Sequence, residues 1–542
     1  MISLAAGVMG GLFFLWIAGA RVLSPTEYGW VMQSDWRIHF LGWHFFRREG
    51  WAWPPGRLEG YFHAPDGTAI GFTDSIPLAA FALKPFSPLL PDVFQYLGLW
   101  LLVCFILQGV MAARLVGLWT ERAGLRLLGA ALFVLMPTLL IRVGHPALCA
   151  HFLILWALHL YFTSERRARG SAAQHAALGL TAGLVHPYLA VMSTAVAGAT
   201  TIRTRSVAPA GLCAVAVLVG WWASGLFTAT GADQLATEGL GVYSMNLLAP
   251  LTPSGWSTLL PEAPVATTGQ TYEGFQYFGA GTLLLMAAAC VAWVARRGRV
   301  AVVPLGPLLA VAAACAVYAL SPRVTLGASV LADFSSPALE ELAIFRATGR
   351  FFWPMAYLAL MLAIASVTRR LPHRAAVAVL AAAVAVQAVD LRAAHAERRR
   401  TSRSEAFHAH RLPLQSPVWD HALPHYRHLV MINPPQCGEA PLSFEWPAFV
   451  AGLHRLRINA GEVARPDLDK ARAYCQTLHE QTRRGAVRDD TVYVVHPRFV
   501  EPLQQAARVP FGCTTVDGLA VCVTGATRHL WNGTAFSGSG PQ

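Results

Sequence analysis

The chain has 542 residues, 55% of them hydrophobic and only 13% charged, and its mean hydropathy is +0.44. That mix excludes an ordinary soluble domain and specifies a multispanning membrane protein. The formal net charge of +12 does not argue for nucleic acid as a partner, because the arginines fall in short clusters between apolar runs, as they do in cytoplasmic loops.

Apolar runs of about 20 residues, enough to cross a bilayer, are predicted near 3–23, 95–118, 126–143, 147–163, 208–227, 276–295, 301–320, 351–368 and 374–390. The region 175–202 fits one tilted span or two short ones broken at "VHPYL", where Pro187 restricts His186 and removes a backbone donor. Charge decides for the break. It places Arg122/Arg126, Arg166/Arg167/Arg169, Arg203/Arg205, Arg296/Arg297/Arg299 and Arg369/Arg370/Arg374 on one side, and the Lys- and Arg-free loop 228–276 on the other. The expectation is eleven membrane segments with the N-terminus inside and the C-terminus outside. Ala18-Gly19-Ala20 has the small residues of a signal-peptide cleavage site without a basic n-region. Both readings of the first segment leave Asp35 outside.

The first outer loop, 24–94, carries two acids. Asp35 opens "SDWRIHFLGWHFF", predicted as a helix at the outer interface with rings at headgroup depth and His39 one turn on. Asp35 is either its N-cap, with Ser34, or a reacting group. Asp74 in "GFTDSIPLAAF" precedes Pro77, a residue suited to a first helical turn, and offers the same choice. Between them Pro65-Asp66-Gly67 signals a turn, which makes His63 and Asp66 loop residues more than ligands.

Further polar groups stand at the outer ends of spans: Arg142 and His145 in "RVGHPAL", His186 and Tyr188 in "LVHPYL", and Tyr272, Glu273 and Gln276 in "TYEGFQYF". Polar residues at membrane depth tend to face a cavity; a single His beside Pro otherwise reads as a helix end. In "AIFRATGRFFWP" Arg346 and Arg350 are spaced i, i+4 and share a face if helical, where they either clamp a phosphate or snorkel to headgroups.

After Asp390 the composition becomes that of a small α/β domain, 391–542. "RHLVMINPP" and "DDTVYVVHP" read as buried strands, "DLDKARAYCQTLHEQTRRG" as a helix stopped by Gly485, and "FGCTTVDGLAVCVTG" as a hairpin about Asp517-Gly518. Of nine cysteines, Cys104, Cys149, Cys213, Cys290 and Cys315 lie in spans as small hydrophobes. The other four suggest two bridges, Cys513 with Cys522 across the hairpin and Cys437 with Cys475. Zinc is the competing reading, but no CxxC spacing supports it.

These features together resemble the GT-C superfamily of polytopic glycosyltransferases. More narrowly, "SDWRIHFLGWHFFRREGWAWPPG", "GTAIGFTDSIPLAAFALKPFSPLLP", "FQYLGLWLLVCFILQG" and "RVGHPALCAHFLILWALHLY" look like the bacterial membrane family DUF6311. The resemblance implies a GT-C-like helical membrane domain, 1–390, with a periplasmic C-terminal domain, in a bacterial inner membrane. It implies a polyprenyl-phosphate-linked sugar donor and a glycan, lipid or protein acceptor. Asp35 matches the catalytic first-loop acid and Asp74 is a second acid in that loop. The remaining candidates for donor or acceptor are His39, His63, His145, His186, Glu273, Arg346 and Arg350. Many GT-C enzymes have closely spaced acids, whereas Trp36 follows Asp35 here; a divalent metal is compatible with the family but not specified by that pattern.

Other classes fit some of these features. A lipid-linked glycan transporter or flippase would show repeated broken helices in two halves, where only His186-Pro187 reads as a break. A membrane acyltransferase would want a His deep in the bilayer plane as base, a role for His145 or His186, but both sit at the predicted outer surface. A non-catalytic envelope assembly protein would leave Asp35 replaceable.

Overall fold

The computed structural model describes residues 1–62, 67–165, 169–228, 239–295, 304–341, 344–409, 413–438, 442–531 and 534. The Arg166/Arg167 and Arg296/Arg297/Arg299 clusters and His63 with Asp66 lie outside the described residues. The chain forms two compact units, each made of three segments. One comprises Met1–Ser24, Tyr96–Trp221 and Leu235–Phe407; the other comprises Pro25–Gln95, Trp222–Gln234 and His408–Gln542.

The first unit is helical. Among the described residues four helices are long and apolar enough to cross a membrane: Leu97–Gly117, Pro146–Thr163, Thr348–Arg370 and His373–Asp390. The pair Ala123–Val134 and Pro137–Gly144, bent by 49°, makes a fifth if it is one span. Ile2–Ala18, Ala208–Ala223, Ala280–Ala295 and Gly306–Ala319 are apolar but shorter. The structure thus gives fewer full-length spans than the eleven segments expected. Local chemistry shortens several: Pro137 and Pro187 each open a new helix, since proline cannot continue the one before, and Gly19 ends the first helix at φ 78°. The expected break at His186 is present, with helices Arg169–Val185 and Pro187–Thr204 on either side.

Where helices in this unit touch most closely, glycine makes the contact. A Cβ at Gly10 would lie 2.2 Å from the Phe105 carbonyl oxygen, and one at Gly109 would lie 2.1 Å from that of Ala6. The helices Ile2–Ala18 and Leu97–Gly117 therefore meet backbone to backbone, as small residues allow in membrane bundles. The helix Arg392–Arg403 also belongs here: Ser402 Oγ donates to the Ile17 carbonyl at 2.8 Å and Arg403 Nη2 to that of Trp16 at 3.0 Å. Composition had drawn the boundary at 390/391, ahead of this helix.

The second unit is built on a five-stranded mixed sheet in the order Arg457–Ile458, His428–Ile432, Thr491–Val495, Leu519–Thr524, Phe511–Val516. The first three strands are parallel and the last two join antiparallel. The hairpin turns at Asp517 and Gly518, both at positive φ, the conformation that Asp-Gly supplies at a two-residue turn. The helix Leu468–Arg483 starts where Asp467 accepts from Lys470 N and stops before Gly485 at φ 58°. Its Cys475 bonds Cys437, and Cys513 bonds Cys522; both bridges sit in a core with Ile432, Leu478, Tyr493, Val495 and Phe511.

The first loop is part of this unit. Gly60 O accepts from Ile458 N at 2.8 Å, Arg37 pairs with Glu445 at 3.2 Å and Glu462 at 3.1 Å, and the His44 ring stacks on Phe449 at 4.9 Å. The helix Trp36–Phe46 is present, but not as an interfacial shelf. Phe40, Trp43, Phe45 and Phe46 are buried against Phe449, Phe94, Tyr61 and Phe81 respectively. Aromatic density that reads as a headgroup belt is here the core of the unit.

Candidate functional site

Asp35 occupies the N-cap position of Trp36–Phe46, yet its side chain makes no capping bond. It is exposed, and among the described residues its carboxylate has no ion pair or hydrogen bond. Only its backbone is engaged: its carbonyl accepts from His39 Nδ1 at 2.9 Å. His39 is buried and braces the frame, since its own carbonyl accepts from Ser75 Oγ at 2.7 Å.

Ser75 belongs to the second acid's turn. Thr73 Oγ1 and Ser75 Oγ are 2.8 Å apart, and a Cβ on Gly42 would come within 2.1 Å of Thr73 Oγ1, so the helix needs glycine there to admit the turn. Asp74 and Ile76 both have positive φ, 53° and 50°. For a β-branched residue that is an outlier, and such residues cost of order 1–3 kcal/mol each and gather at functional sites. The N-cap position of Pro77–Leu83 is Ile76.

A second set of candidates assembles in the helical unit. Glu273 Oε2 accepts from Arg142 Nη1 at 2.9 Å and from Arg350 Nε at 2.7 Å. Arg142 also donates to the Tyr272 carbonyl at 2.6 Å. Burial alone would raise the Glu273 carboxyl; Arg142 and then Arg350 outweigh it and hold the group well below its ordinary value of 4.5. The Arg350 guanidinium lies 4.6 Å from the Tyr188 ring, whose hydroxyl accepts from Ala347 N at 2.9 Å. His186, N-capping the next helix, meets His145 edge to face at 5.6 Å.

Thus Arg142, His145, His186, Glu273 and Arg350, scattered over four stretches of sequence, converge. Two guanidiniums face one carboxylate. Arg346 does not share a helical face with Arg350, because regular structure starts only at Thr348 as a 3-10 turn. Arg346 is instead exposed, 5.6 Å above the Tyr243 ring. Sequence reasoning assigned no role to Arg37 or to its partners Glu445 and Glu462; nothing local links residues that far apart in the chain.

A family model described as "Domain of unknown function (DUF6311)" matches residues 7–392. The chain belongs to the DUF6311 family. A second model, "DUF6311 C-terminal domain", matches residues 418–524 of this DUF6311 protein, the stretch that holds the whole five-stranded sheet. No curated protein matches the chain. Among solved structures it is distantly similar to the archaeal oligosaccharyltransferase AglB from Archaeoglobus fulgidus, in complex with an inhibitory peptide and a dolichol-phosphate. The likeness has a TM-score of 0.39 at 10% identity and covers 99% of this chain and 74% of that one.

Proposed function

We propose that this DUF6311 protein is a GT-C-type membrane glycosyltransferase that moves a sugar from a polyprenyl-phosphate-linked donor to an acceptor hydroxyl on the outer side of a bacterial inner membrane. The observation that carries the reading is Asp35, an exposed carboxylate at a helix start that caps nothing. A group with no structural task is available to take a proton.

In this reading Asp35 removes the acceptor's hydroxyl proton as the oxygen attacks the anomeric carbon. The bond to the polyprenyl phosphate breaks in the same displacement, and the configuration inverts. The leaving phosphate needs charge stabilisation rather than a proton; within the helical unit, Arg346, exposed over Tyr243, is the cation available to a donor phosphate. Asp74, held in a strained turn, is the second acid. The two disulfides suit an oxidising compartment, which supports a periplasmic location for the C-terminal region.

Asp35→Asn keeps size and removes the base. Purified protein assayed for transfer from a polyprenyl-phosphate sugar should lose about 10²- to 10⁴-fold in rate with melting temperature unchanged. A rate near wild type would take Asp35 out of the mechanism and move the assignment to Asp74.

A further inference from the structure

The first-loop unit contains a cavity of about 350 Å³ between the end of the helix Trp36–Phe46 and the turn that follows Glu445–Leu453. Its walls are fixed. Both Glu49 oxygens accept backbone N–H groups, from Glu59 and Gly60 at 2.8 Å each, which closes the loop 49–60 on itself. Gly452 lies so near the His44 ring that a Cβ would approach to 2.5 Å.

Trp51 stands at this cavity 57% exposed, and yet it is held. Phe46 meets it edge-on at 6.0 Å, Phe81 packs at 6.3 Å, and Lys84 Nζ sits 4.6 Å from its centroid while donating to the Gly50 carbonyl at 3.1 Å. An exposed indole fixed in one orientation is a ready platform, because little side-chain freedom remains to be lost on binding.

The charges at the cavity are unevenly satisfied. Glu59 lies 3.5 Å from both Arg57 and Arg457, and Glu49 is engaged as above. Arg48 donates only to neutral groups, the His44 ring and carbonyl and the Asp92 carbonyl, with the Asp92 charge acting on it from further off. Arg455, held at φ 61°, has no ion-pair partner among the described residues. Burial first, then Arg47 and Arg455 against the opposing Asp92, pulls the Arg48 guanidinium down to about 10, a cost that a bound anion would relieve.

We propose that this cavity binds an acidic sugar unit of a glycan, with the C–H face of the ring on Trp51 and its carboxylate or phosphate on Arg48 and Arg455. Hydroxyl groups of such a ring donate to Glu49 and Glu59, whereas a lipid phosphodiester offers those carboxylates only acceptors. The site is independent of glycosyl transfer: an assembly protein that catalyses nothing would use it equally.

The test uses the full chain in phosphatidylcholine nanodiscs, with trigalacturonate and maltotriose as probes in calorimetry. Trigalacturonate should bind about tenfold or more tighter than maltotriose. Trp51→Ala should weaken it by a similar factor and Trp51→Tyr should largely restore it, while Arg48→Gln with Arg455→Gln should erase the preference between the two sugars. Equal affinity for both sugars in the wild type, or unchanged binding in Trp51→Ala, overturns the proposal. So does tighter binding of monomeric dioctanoyl phosphatidylmethanol, which has no hydroxyl donor, than of trigalacturonate, which would make the cavity a headgroup site.

Discussion

Arg350 Nε donates to Glu273 Oε2 at 2.7 Å, the same oxygen that Arg142 engages. Replacing Glu273 by Gln leaves two buried guanidiniums facing each other without their counter-charge. Loss of one partner from a buried ion pair typically costs about 3–5 kcal/mol, read as a lower melting temperature of the purified protein. The effect has a pH signature. Because the folded carboxyl titrates well below the ordinary 4.5, its contribution is complete above that value and fades as pH falls toward the folded pKa. Wild type should lose stability below about pH 4.5 more steeply than Glu273→Gln.

Arg346 and Arg350 should separate in the same experiments. Arg350→Ala breaks the buried pair and lowers stability by about 3–5 kcal/mol. Arg346 is exposed, so Arg346→Ala should leave stability within about 0.5 kcal/mol and weaken donor binding by about 1.5–3 kcal/mol. Unchanged donor affinity in Arg346→Ala would make its place on Tyr243 simple packing.

Since Asp35 caps nothing, Asp35→Ala should also be near silent in stability, within about 0.5 kcal/mol. A true N-cap would cost about 0.5–2 kcal/mol. Denaturant unfolding of the purified variant decides between them.

His44 is buried, and burial together with Arg48 and Arg47 lowers its pKa well below 6.5 against the bond to the Phe449 carbonyl. A histidine that stays neutral when folded but takes a proton when unfolded contributes fully above pH 6.5, and loses that contribution as pH falls below it. His44→Gln should therefore flatten the decline in stability from pH 7 to pH 5. An identical slope in both proteins would show that His44 titrates normally.

The two bridges should differ in weight. Cys437 and Cys475 are 38 residues apart and Cys513 and Cys522 are 9 apart, and in the chain-entropy account a longer loop is stabilised more. Replacing Cys437 and Cys475 by Ser should cost about 2–5 kcal/mol, and more than the same change at the hairpin. Non-reducing peptide mapping that finds four free thiols would remove the premise.

The C-terminal sheet was legible because each of its parts is signalled locally: apolar strands bounded by turns, Asp-Gly at the hairpin, an even cysteine count. The break at His186 was legible because Pro187 removes a donor wherever it stands. The positive φ of Asp74 and Ile76 was not legible, since their turn packs through Thr73 and Ser75 on the distant Gly42. The role of the aromatic run from Trp36 was not legible, since rings bound for a core and rings bound for headgroups have the same composition. Spacing misled at Arg346 and Arg350, because i, i+4 places two residues together only where a helix joins them. Arg142 and Glu273 are 131 residues apart, and no periodicity reports such a pairing.

The ion pair between Arg37 and Glu462 joins residues 425 positions apart, which gives this unit a clock. At about 5–20 residues per second, the ribosome takes about 20–80 s to make the second partner after the first. Through that interval the segment 25–95 is outside the ribosome without the strand that Gly60 receives or the ring that His44 stacks on. Its Phe40 and His44 rings, which pack on Phe449, are then open to any chaperone that recognises aromatic sequence. Shortening the chain anywhere before Phe449 would make that exposure permanent, so cells should clear such truncated products by proteolysis of the first loop rather than of the tail.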